Sequence, residues 1–344
     1  MVTIKDIAKE ADVAISTVSN VLNGINVVSE ETRLKVTDAV DRLGYIPNLN
    51  GKYLKSNRSS PFLGLSLTNM SGPYYSDLVD AVYQESQRNN YGLTIHINST
   101  YNVEETIRNI LGKHLSGAII LNDTINEQHV ELLKKAKLPI VFIDREVIEP
   151  TMSSIIVDDA KGTKTAVEYL LRLGHRNIGY IHGYPDNYDD IERFKGYKAV
   201  LSEYGFDSGP TELYGYFSEQ GAYNAVRGFI TSNRGEKSGS SKMPSAFFAA
   251  NDLMAIGCIN ALREEGFKVP EDVSVVGFDN IQISQYITPS LTTVKSPITE
   301  WGTRSVQKLV KMINGEPGER IKLDTQLVVR ESCNYRINKS AINT

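Results

Sequence analysis

Residues 12–23 read DVAISTVSNVLN, a stretch in which aliphatic side chains alternate with short polar ones. The aliphatic residues recur at helical spacing and are Val13, Val18, Val21 and Leu22. The other positions carry hydroxyl and amide groups, although Lys and Glu would be stronger helix formers on an exposed face. Small polar side chains form hydrogen bonds while letting the backbone approach a partner closely. The stretch therefore predicts a helix that is buried on one side and contacts a partner on the other.

Two further helices are predicted around this one. The first is indicated by apolar residues at helical spacing, with Thr3 as its cap, and these are Ile4, Ile7, Ala8 and Ala11. The third begins at Ser29 and ends at Gly44. Two short helices joined by a turn are a helix-turn-helix candidate, whose second helix lies in the major groove of DNA. The alternative is an ordinary three-helix cap with a polar surface.

The segment that follows, IPNLNGKYLKSNRSS at residues 46–60, is polar and basic and is predicted to be a linker with one short helix after Pro47. The whole chain has a net charge of −4, yet the stretch from Arg42 to Arg58 contains bases and no acid. A local basic segment fits an anionic partner that is met by one part of the molecule.

From Pro61 onward, short apolar runs alternate with helical patterns. Examples of the runs are FLGLSLT, GAIILN, SIIVD, NIGYIHG, SAFFAA and VSVVGFD. This alternation predicts an α/β fold with parallel sheets and helices on both faces. Nine or ten such units would give a single sheet with more strands than is usual, so two similar subdomains are expected. Residues 232–245 are predicted to be a surface loop from their composition.

The sequence lacks the motifs of the common catalytic and cofactor sites. No two glycines stand two apart, which excludes the dinucleotide fingerprint, and neither Gly-Lys pair lies in a phosphate loop. No serine lies in a nucleophile elbow. Cys258 and Cys333 are far apart and the five histidines are scattered, so neither a disulfide framework nor a metal centre is expected. These observations favour a binding protein with no catalytic residues, metal or cofactor.

The location of the protein is suggested by its opening residues and by its cysteine content. No basic stretch followed by an apolar core opens the chain, and no apolar run approaches the roughly 20 residues of a spanning helix. With only two cysteines, the chain is expected to be cytoplasmic and to have no membrane partner.

Several motifs together resemble the lac repressor (LacI/GalR) family of bacterial transcriptional regulators. Near the start they are TIKDIAKEADVAISTVSNVLNG, VSEETRLKVTDAVDRLGYIPN and LKSNRS. Later they are LRLGHRNIGYIHG, ERFKGYKAVL, FFAANDLMAIG and VSVVGFDNIQISQYITPSLTTVKSP. The resemblance spans nearly the full chain.

The resemblance implies a helix-turn-helix domain at 1–46, a hinge at 47–60 and an effector-binding and dimerisation domain at 61–344. The last is expected to be similar to periplasmic sugar-binding proteins, with two lobes joined by three crossings near 158–162, 289–294 and 318–324. Lobe one would contain about 61–160 and 292–322, and lobe two about 161–290 and 323–344.

The resemblance also implies contacts with operator DNA. The family's base-reading positions fall on Ile15, Ser16 and Asn20. Positions that contact phosphates fall on Thr3, Thr17, Ser19 and Asn23, and bases that can neutralise phosphates are Lys52 and Lys55. The chain departs from the family at Asp12, where Gly is usual but Asp tolerates left-handed geometry, and at Ala14, where a capping Ser is usual.

The hinge residue Leu54 matches a leucine that wedges into the minor groove and kinks the duplex when two subunits meet on DNA. The alternative for Leu54 is a stray apolar residue in a linker. Gly51 stands where the family commonly has Ala, and it weakens the hinge helix by about 1 kcal/mol.

The effector site implied by the resemblance contains Arg193, whose planar guanidinium would hold ligand oxygens. The other implied site residues are Tyr74, Tyr75, Phe217, Asn251 and Asp252. From the sequence alone, Tyr74 and Phe217 could equally be core, Arg193 a surface ion-pair former and Asp252 a helix cap.

Two other segments bear on the effector. The acidic stretch YPDNYDDIER at 184–193 is either a solvated loop or, if it borders the cleft, a feature that disfavours an anionic ligand. Ser296 stands where several family members have Gln, so the contact made from that position differs here.

These implications describe a homodimeric repressor of a sugar-utilisation operon, bound to a pseudo-palindromic operator and controlled by a small-molecule effector, which is a sugar or a sugar derivative. One alternative is a corepressor-dependent member that binds a purine-like ligand. Another is a sugar-metabolising enzyme with an unrelated N-terminal segment.

Overall fold

The computed structural model describes residues 2–22, 24–25, 27–45, 62–97, 103–112, 115–143, 145–206, 211–233 and 243–336. The chain divides into two units, Met1–Ser60 and Pro61–Thr344. The predictions made for Asn23, Gly51, Lys52, Leu54 and Lys55 lie outside the described residues.

The first unit contains the three helices expected from its sequence, α1 (Ile4–Glu10), α2 (Ile15–Leu22) and α3 (Glu30–Leu43). The Ser29 side chain accepts a hydrogen bond from the Thr32 N–H at the start of α3, and Gly44 ends that helix with φ 59°. The helices share one core, formed by Ile7, Ala8, Ala11, Val18, Val36 and Ala39. The apolar stripes of the three helices therefore pack against one another.

The turn between α1 and α2 contains one residue in the left-handed conformation. Asp12 has φ 50°, in the left-handed region that Asp tolerates better than most residues. The Val13 N–H donates to the Ala8 carbonyl at 3.0 Å, which closes the turn. Ala14 directly precedes α2 and has no side-chain oxygen, so it cannot cap that helix.

The second unit contains strands that form two sheets. In chain order they are β1 (Phe62–Leu67), β2 (Gly92–Ile97), β3 (Gly117–Leu121), β4 (Ile140–Phe142), β5 (Met152–Val157), β6 (Ile178–His182), β7 (Glu212–Tyr214), β8 (Ala246–Ala249), β9 (Ser274–Asp279), β10 (Thr292–Lys295), β11 (Arg320–Leu323) and β12 (Gln326–Val328). The first sheet has the order β11-β5-β4-β3-β1-β2, and the second has the order β12-β10-β9-β8-β6-β7. All pairs are parallel except β10 with β12. The predicted α/β fold with two parallel-sheet lobes is confirmed.

The helices of the second unit lie on both faces of these sheets. They are α4 (Pro73–Arg88), α5 (Val103–Leu111), α6 (Glu127–Ala136), α7 (Asp159–Arg172), α8 (Tyr188–Glu203), α9 (Glu219–Asn233), α10 (Asp252–Glu264) and α11 (Ile298–Ile313), with a 3₁₀ turn at Gln282–Gln285. Every residue of β3, β5, β6, β8 and β9 is buried, which is the pattern of strands covered on both faces.

The chain passes between the two lobes at three places. These are the step from β5 into α7, residues 296–297 between β10 and α11, and residues 324–325 between β11 and β12. The structure places residues 292–295 in the second lobe, whereas the prediction assigned them to the first, because β10 pairs with β9. Leu323 ends a strand of the first lobe, one residue beyond the predicted limit.

The first and third crossings lie side by side. The Asp158 N–H donates to the Leu323 carbonyl at 2.8 Å. Lys161 pairs with Asp324 at 2.6 Å, and Lys322 pairs with Asp158 at 2.9 Å. The two segments are therefore joined by one backbone hydrogen bond and two ion pairs.

Helices α9 and α10 approach closely at Gly257, which gives a test of the packing. A Cβ on Gly257 would overlap the carbonyl oxygen of Glu219. We expect Gly257→Ala to lower the free energy of unfolding in urea by about 1–3 kcal/mol, because backbone must move. Gly228→Ala is the control, since Gly228 lies on the same helix pair with open space around it; it should raise that free energy by about 0.5–1 kcal/mol. Equal effects of the two substitutions would contradict the close approach.

Candidate effector site and nucleic-acid interface

Polar and aromatic residues collect where the parallel strands of the second lobe end. Parallel sheets bind ligands at the carboxyl ends of their strands. Across the sheet from β10 to the edge strand β7, the residues at this edge are Ser296 after β10, Asp279 at the end of β9, Asn251 after β8, Gly183 after β6 and Phe217 after β7. The second crossing leaves the lobe from this edge, after β10. The first crossing brings Asp159 to the same place, where it accepts from Arg193.

Arg193, on α8, is the central cation of this edge and is only 3 % exposed. Its Nε donates to Asp159 Oδ1 at 2.7 Å, and its Nη1 donates to the Ala250 carbonyl at 2.5 Å. The guanidinium carbon lies 3.9 Å from the ring centroid of Phe278. Burial alone would lower the pKa of Arg193, but the carboxylates of Asp159, Asp279 and Asp189 raise it above its ordinary value. Arg193 is therefore a buried organising charge and not an exposed ion-pair former.

Three carboxyls surround this guanidinium. Burial raises the pKa of Asp159, Asp189 and Asp279, and the Asp159 charge raises the other two further. The pKa of Asp279 rises to about 7, although Arg193 Nη2 lies 3.6 Å from its Oδ1. Near neutral pH, Asp279 can thus donate or accept a hydrogen bond. Asp279 (φ 106°) and Asn280 (φ 57°) both adopt left-handed backbone, a strain that is common at binding sites.

The first lobe contributes aromatic rings to the same region. Tyr74 contacts Tyr75 and Trp301 edge to face, with centroids 5.4 and 6.4 Å away. Burial raises the pKa of Tyr74, and the charges of Asp189 and Asp279 in the other lobe raise it further. The Tyr74 hydroxyl therefore lies close to the second-lobe carboxyls.

The two lobes also contact each other directly at the edge of the cleft. Asn187 Nδ2 donates to Asp123 Oδ2 at 3.1 Å. The Tyr188 hydroxyl donates to Glu146 Oε1 at 3.3 Å. These contacts join the start of α8 to loops of the first lobe, so they form only when the lobes are close together.

Four buried polar atoms around the cleft have no hydrogen-bond partner among the described residues. They are Tyr74 Oη, Asp159 Oδ2, Asp279 Oδ1 and Ser296 Oγ. Buried polar groups are hydrogen-bonded in the great majority of cases, so each exception requires an explanation. These four come from the first lobe, the second lobe and both neighbouring crossings. They mark a place where a ligand rich in donors and acceptors can bind.

Asn251 and Asp252 use their side chains within the second lobe. Asn251 Oδ1 accepts from the Met254 N–H at 2.9 Å and caps α10, while its Nδ2 donates to the Phe217 carbonyl at 3.3 Å. Asp252 is fully buried, accepting from the Ile281 N–H at 2.9 Å and from the Thr293 hydroxyl. The structure thus places Asp252 between α10, β9 and β10, where it positions the strand ends and leaves no open oxygen in the cleft. The cap of α10 is Asn251.

Phe217 is half-buried and lies at the outer side of the site. Its ring occupies the space that a Cβ on Gly183 would need. Tyr75 also lines the first-lobe side, where its hydroxyl accepts from Asn69 Nδ2 at 3.4 Å. The structure therefore brings Tyr74, Arg193 and their carboxylate neighbours together and leaves Phe217 to flank them.

The acidic stretch at 184–193 is a solvated loop only in its first part. Residues 184–186 are exposed and precede α8, whereas residues 188–193 form the start of that helix. The buried Asp190 accepts hydrogen bonds from the Tyr180 hydroxyl, from His182 and from the Gly183 N–H. Sequence reasoning did not single out Asp159, Asp189 or Asp279. The available signal was the position of Asp279 as the polar residue that ends a buried strand.

The exposed side of α2 carries the residues predicted to read bases. Ile15 and Ser16 are exposed, Asn20 is half-buried, and Val18 faces the core. Thr17 and Ser19 are half-buried on the same helix.

Thr3, which is predicted to contact a phosphate, holds the start of α1. Its N–H and its hydroxyl both donate to Asp6 Oδ2, at 2.8 and 2.7 Å. The Thr3 hydroxyl proton is therefore engaged within the chain.

A helix-turn-helix unit followed by two parallel-sheet lobes with a polar cleft defines a ligand-controlled DNA-binding regulator. Residues 3–48 match the model of bacterial regulatory proteins of the lacI family, and residues 167–333 match a periplasmic binding protein-like domain. The chain belongs to the LacI family and is a DNA-binding transcriptional repressor.

Relatives of known class cover almost the whole chain. A probable HTH-type transcriptional repressor ExuR from Bacillus subtilis (strain 168) is 33 % identical over 96 % of this chain and 98 % of its own length. The HTH-type transcriptional repressor PurR from Pasteurella multocida (strain Pm70) is 32 % identical over 98 % of this chain and 100 % of its own length. These relatives are regulators, which excludes the enzyme alternative.

Solved structures agree with this assignment. The Lac repressor dimer bound to operator and the anti-inducer ONPF is 27 % identical, with a TM-score of 0.78, and the match covers 97 % of this chain and 99 % of that one. The transcriptional regulator CelR in complex with cellobiose is 29 % identical, with a TM-score of 0.71, and the match covers 96 % of this chain and 100 % of that one. Among the described residues, no helix is long and apolar enough to span a membrane.

The raised pKa of Asp279 leads to a pH-dependent difference in stability. A carboxyl whose pKa is higher in the folded state binds more protons there, so its stabilising contribution is full below about pH 4 and is lost as the pH rises through about 7. The side-chain amide of the Asp279→Asn variant does not titrate. We expect the unfolding free energy of Asp279→Asn minus that of the wild type to increase from pH 4 to pH 7, by on the order of 2–4 kcal/mol. Urea denaturation at a series of pH values measures this difference, and a constant value would refute the raised pKa.

Proposed function

We propose that the protein is an effector-controlled repressor of a carbohydrate-utilisation operon, and that a neutral sugar bound between its lobes sets its affinity for the operator. The observation that carries this proposal is the set of four buried polar atoms around the cleft that have no hydrogen bond to any described residue, Tyr74 Oη, Asp159 Oδ2, Asp279 Oδ1 and Ser296 Oγ. Each sugar hydroxyl is both a donor and an acceptor, so a sugar can satisfy carboxyl and hydroxyl oxygens together.

The charge of the cleft supports a neutral ligand over an anionic one. Asp159, Asp189 and Asp279 face a single guanidinium, and their raised pKa values reflect an environment that disfavours added negative charge. The rings of Tyr74 and Phe217 offer flat apolar faces beside these polar groups, a combination that suits carbohydrates. The structural similarity to CelR, which was solved with cellobiose, agrees with a sugar ligand.

The same proposal includes assembly as a homodimer on a pseudo-palindromic operator in the cytoplasm. The similarity to a Lac repressor dimer on its operator supports this arrangement. Ile15, Ser16 and Asn20 would contact base edges, and Leu54 in the hinge would enter the minor groove. A ligand that favours one angle between the lobes would alter the spacing of the two DNA-binding units, and hence operator affinity.

A second candidate is a corepressor-dependent repressor that binds a purine-like ligand. Its support is the 32 % identity to the PurR repressor over nearly the whole chain. A flat base would also fit beside aromatic rings, but it offers fewer hydroxyl groups to the unpaired carboxyl oxygens.

The DNA-reading face of α2 can be tested with one residue. We expect Asn20→Ala to reduce the ratio of operator to random-DNA affinity by about 10- to 100-fold, because a good amide-to-adenine pair contributes about 1–3 kcal/mol of discrimination. Binding would be measured by fluorescence anisotropy with the chain's own promoter and a scrambled duplex at one fixed salt concentration.

Thr37→Ala is the matched control, since Thr37 is an exposed neutral residue in the middle of α3 whose hydroxyl donates to the Arg33 carbonyl. It should leave the ratio unchanged. An Asn20→Ala protein that discriminates as well as the wild type would remove Asn20 from the base-reading set.

The Tyr74 hydroxyl gives a test of the cleft. Tyr74→Phe removes a buried hydroxyl that has no partner among the described residues, so the stability of the ligand-free protein should stay equal or rise. Affinity for the effector should fall about 3- to 10-fold, because one hydrogen bond is lost. Thermal shift with neutral sugars, sugar phosphates and purine bases identifies the ligand class, and calorimetry then measures both proteins. A stabilising purine with no stabilising sugar would favour the second candidate, and equal affinity of both proteins would remove Tyr74 from the site.

A further inference from the structure

Exposed aromatic rings continue outward from the candidate effector site. Tyr184, Tyr214 and Tyr216, together named the tyrosine rim here, are 54 %, 42 % and 47 % exposed. The centroids of Tyr184 and Tyr216 are 5.5 Å apart, and those of Tyr214 and Tyr216 are 6.1 Å apart. Tyr184 also lies 6.1 Å from Phe217, which flanks the site. The rim therefore begins where the cleft residues end.

The strand order gives the direction of this row. Asp279 ends β9, Tyr184 follows β6, and Tyr214 ends the edge strand β7. A ligand group bound near Asp279 and Arg193 that extends along the carboxyl edge of the sheet reaches the end of β6, where the Phe217 ring lies against Gly183 and Tyr184 follows, and then Tyr214 at the end of β7.

The backbone after β7 is built to present these rings. Tyr216 and Phe217 are consecutive residues with φ values of 53° and 54°, a conformation that costs energy for non-glycine residues. The Gly215 and Tyr216 N–H groups both donate to the His182 carbonyl, at 2.9 and 3.2 Å, and the Ser218 N–H donates to the Gly215 carbonyl. This strained turn is held by three hydrogen bonds and exposes the Tyr216 ring, while the adjacent Phe217 ring packs against Gly183 and the core of the lobe.

The charged residues next to the rim are acidic. Asp186 and Asp189 follow Tyr184 closely in the chain, and Glu212 precedes Tyr214 on the same strand. The Tyr214 ring stacks on His182 at 4.8 Å, so one of its faces is covered and the other is available. This setting suits a neutral partner that stacks on rings and forms hydrogen bonds with tyrosine hydroxyls.

We propose that the tyrosine rim is a second subsite that binds further rings of a neutral oligosaccharide whose first ring lies in the cleft. This inference rests on the proposed function and narrows its effector from a sugar to a chain of two or more sugars. The three rings form a continuous row with neighbouring centroids 5.5 and 6.1 Å apart, and each tyrosine exposes ring surface and carries a hydroxyl. A monosaccharide or a single base would fill the cleft without reaching the rim.

The test is calorimetry on the full-length protein with glucose, cellobiose, cellotriose, maltose, maltotriose, xylose and xylobiose. In one series, the disaccharide or trisaccharide should bind at least about 10-fold tighter than its monosaccharide. Tyr184→Ala and Tyr216→Asn, the latter keeping a residue that tolerates positive φ, should each weaken oligosaccharide binding about 3- to 10-fold. Neither should change monosaccharide binding. Tyr204→Ala is the control, since Tyr204 is 50 % exposed at the opposite end of α8.

Three binding results would overturn the rim subsite. They are binding of no oligosaccharide in the panel, equal affinity for a sugar and its oligomers, or unchanged oligosaccharide affinity in both rim variants. A change in sedimentation of the rim variants would assign these tyrosines to contact with a second copy and would also overturn it. Operator binding without sugar is measured in parallel, so that failure of the regulator proposal is seen separately.

Discussion

The buried guanidinium of Arg193 is the interaction on which the candidate site depends. A buried cation is tolerated only when carboxylates and hydrogen-bond acceptors surround it. Arg193 obtains them from Asp159 at the first crossing, from Asp279 at the end of β9 and from the Ala250 carbonyl after β8. One side chain therefore fixes the relative positions of a helix, two strand ends and a crossing. Asp159 and Asp279 each keep one oxygen without a hydrogen bond among the described residues, and at Asp279 this is the oxygen that Arg193 Nη2 approaches to 3.6 Å. The cluster that organises the lobe thus also supplies the acceptors of its cleft.

Local sequence signals predicted much of the fold. Caps at Thr3 and Ser29, the left-handed Gly44 and the buried apolar runs mark elements whose structure depends on near neighbours. Three late strands, β10 to β12, were not predicted because they are three or four residues long and because β11 and β12 are only partly buried. Strand β11 pairs with β5, more than 150 residues earlier. The distant strand supplies the hydrogen bonds that define β11, and the residues near β11 in the sequence give no information about that pairing.

The candidate site was less predictable than the fold. Resemblance to a family indicated Arg193 and Tyr74, and the structure brings both into one cluster. The resemblance did not indicate that both oxygens of Asp252 accept hydrogen bonds within the lobe, from the Ile281 N–H and the Thr293 hydroxyl. Those bonds depend on how α10 packs against β9 and β10. The acidic stretch shows the same limit. Asp189 and Asp190 are adjacent in sequence, yet Asp190 is buried and hydrogen-bonded inside the lobe, whereas Asp189 is half-buried. Tertiary packing sets the orientation of the helix, and this orientation decides which of the two carboxyls enters the interior.

The paired crossings between the lobes have a mechanical consequence. Two ion pairs, Lys161 with Asp324 and Lys322 with Asp158, join them, and the lysines and Asp324 are substantially exposed to solvent. Exposed charges are screened by dissolved ions over distances of about 8–10 Å at physiological ionic strength. Added salt therefore weakens these two ion pairs more than it weakens the backbone hydrogen bond between Asp158 and Leu323, so the joint loses part of its electrostatic stabilisation while the direct link between its two segments remains.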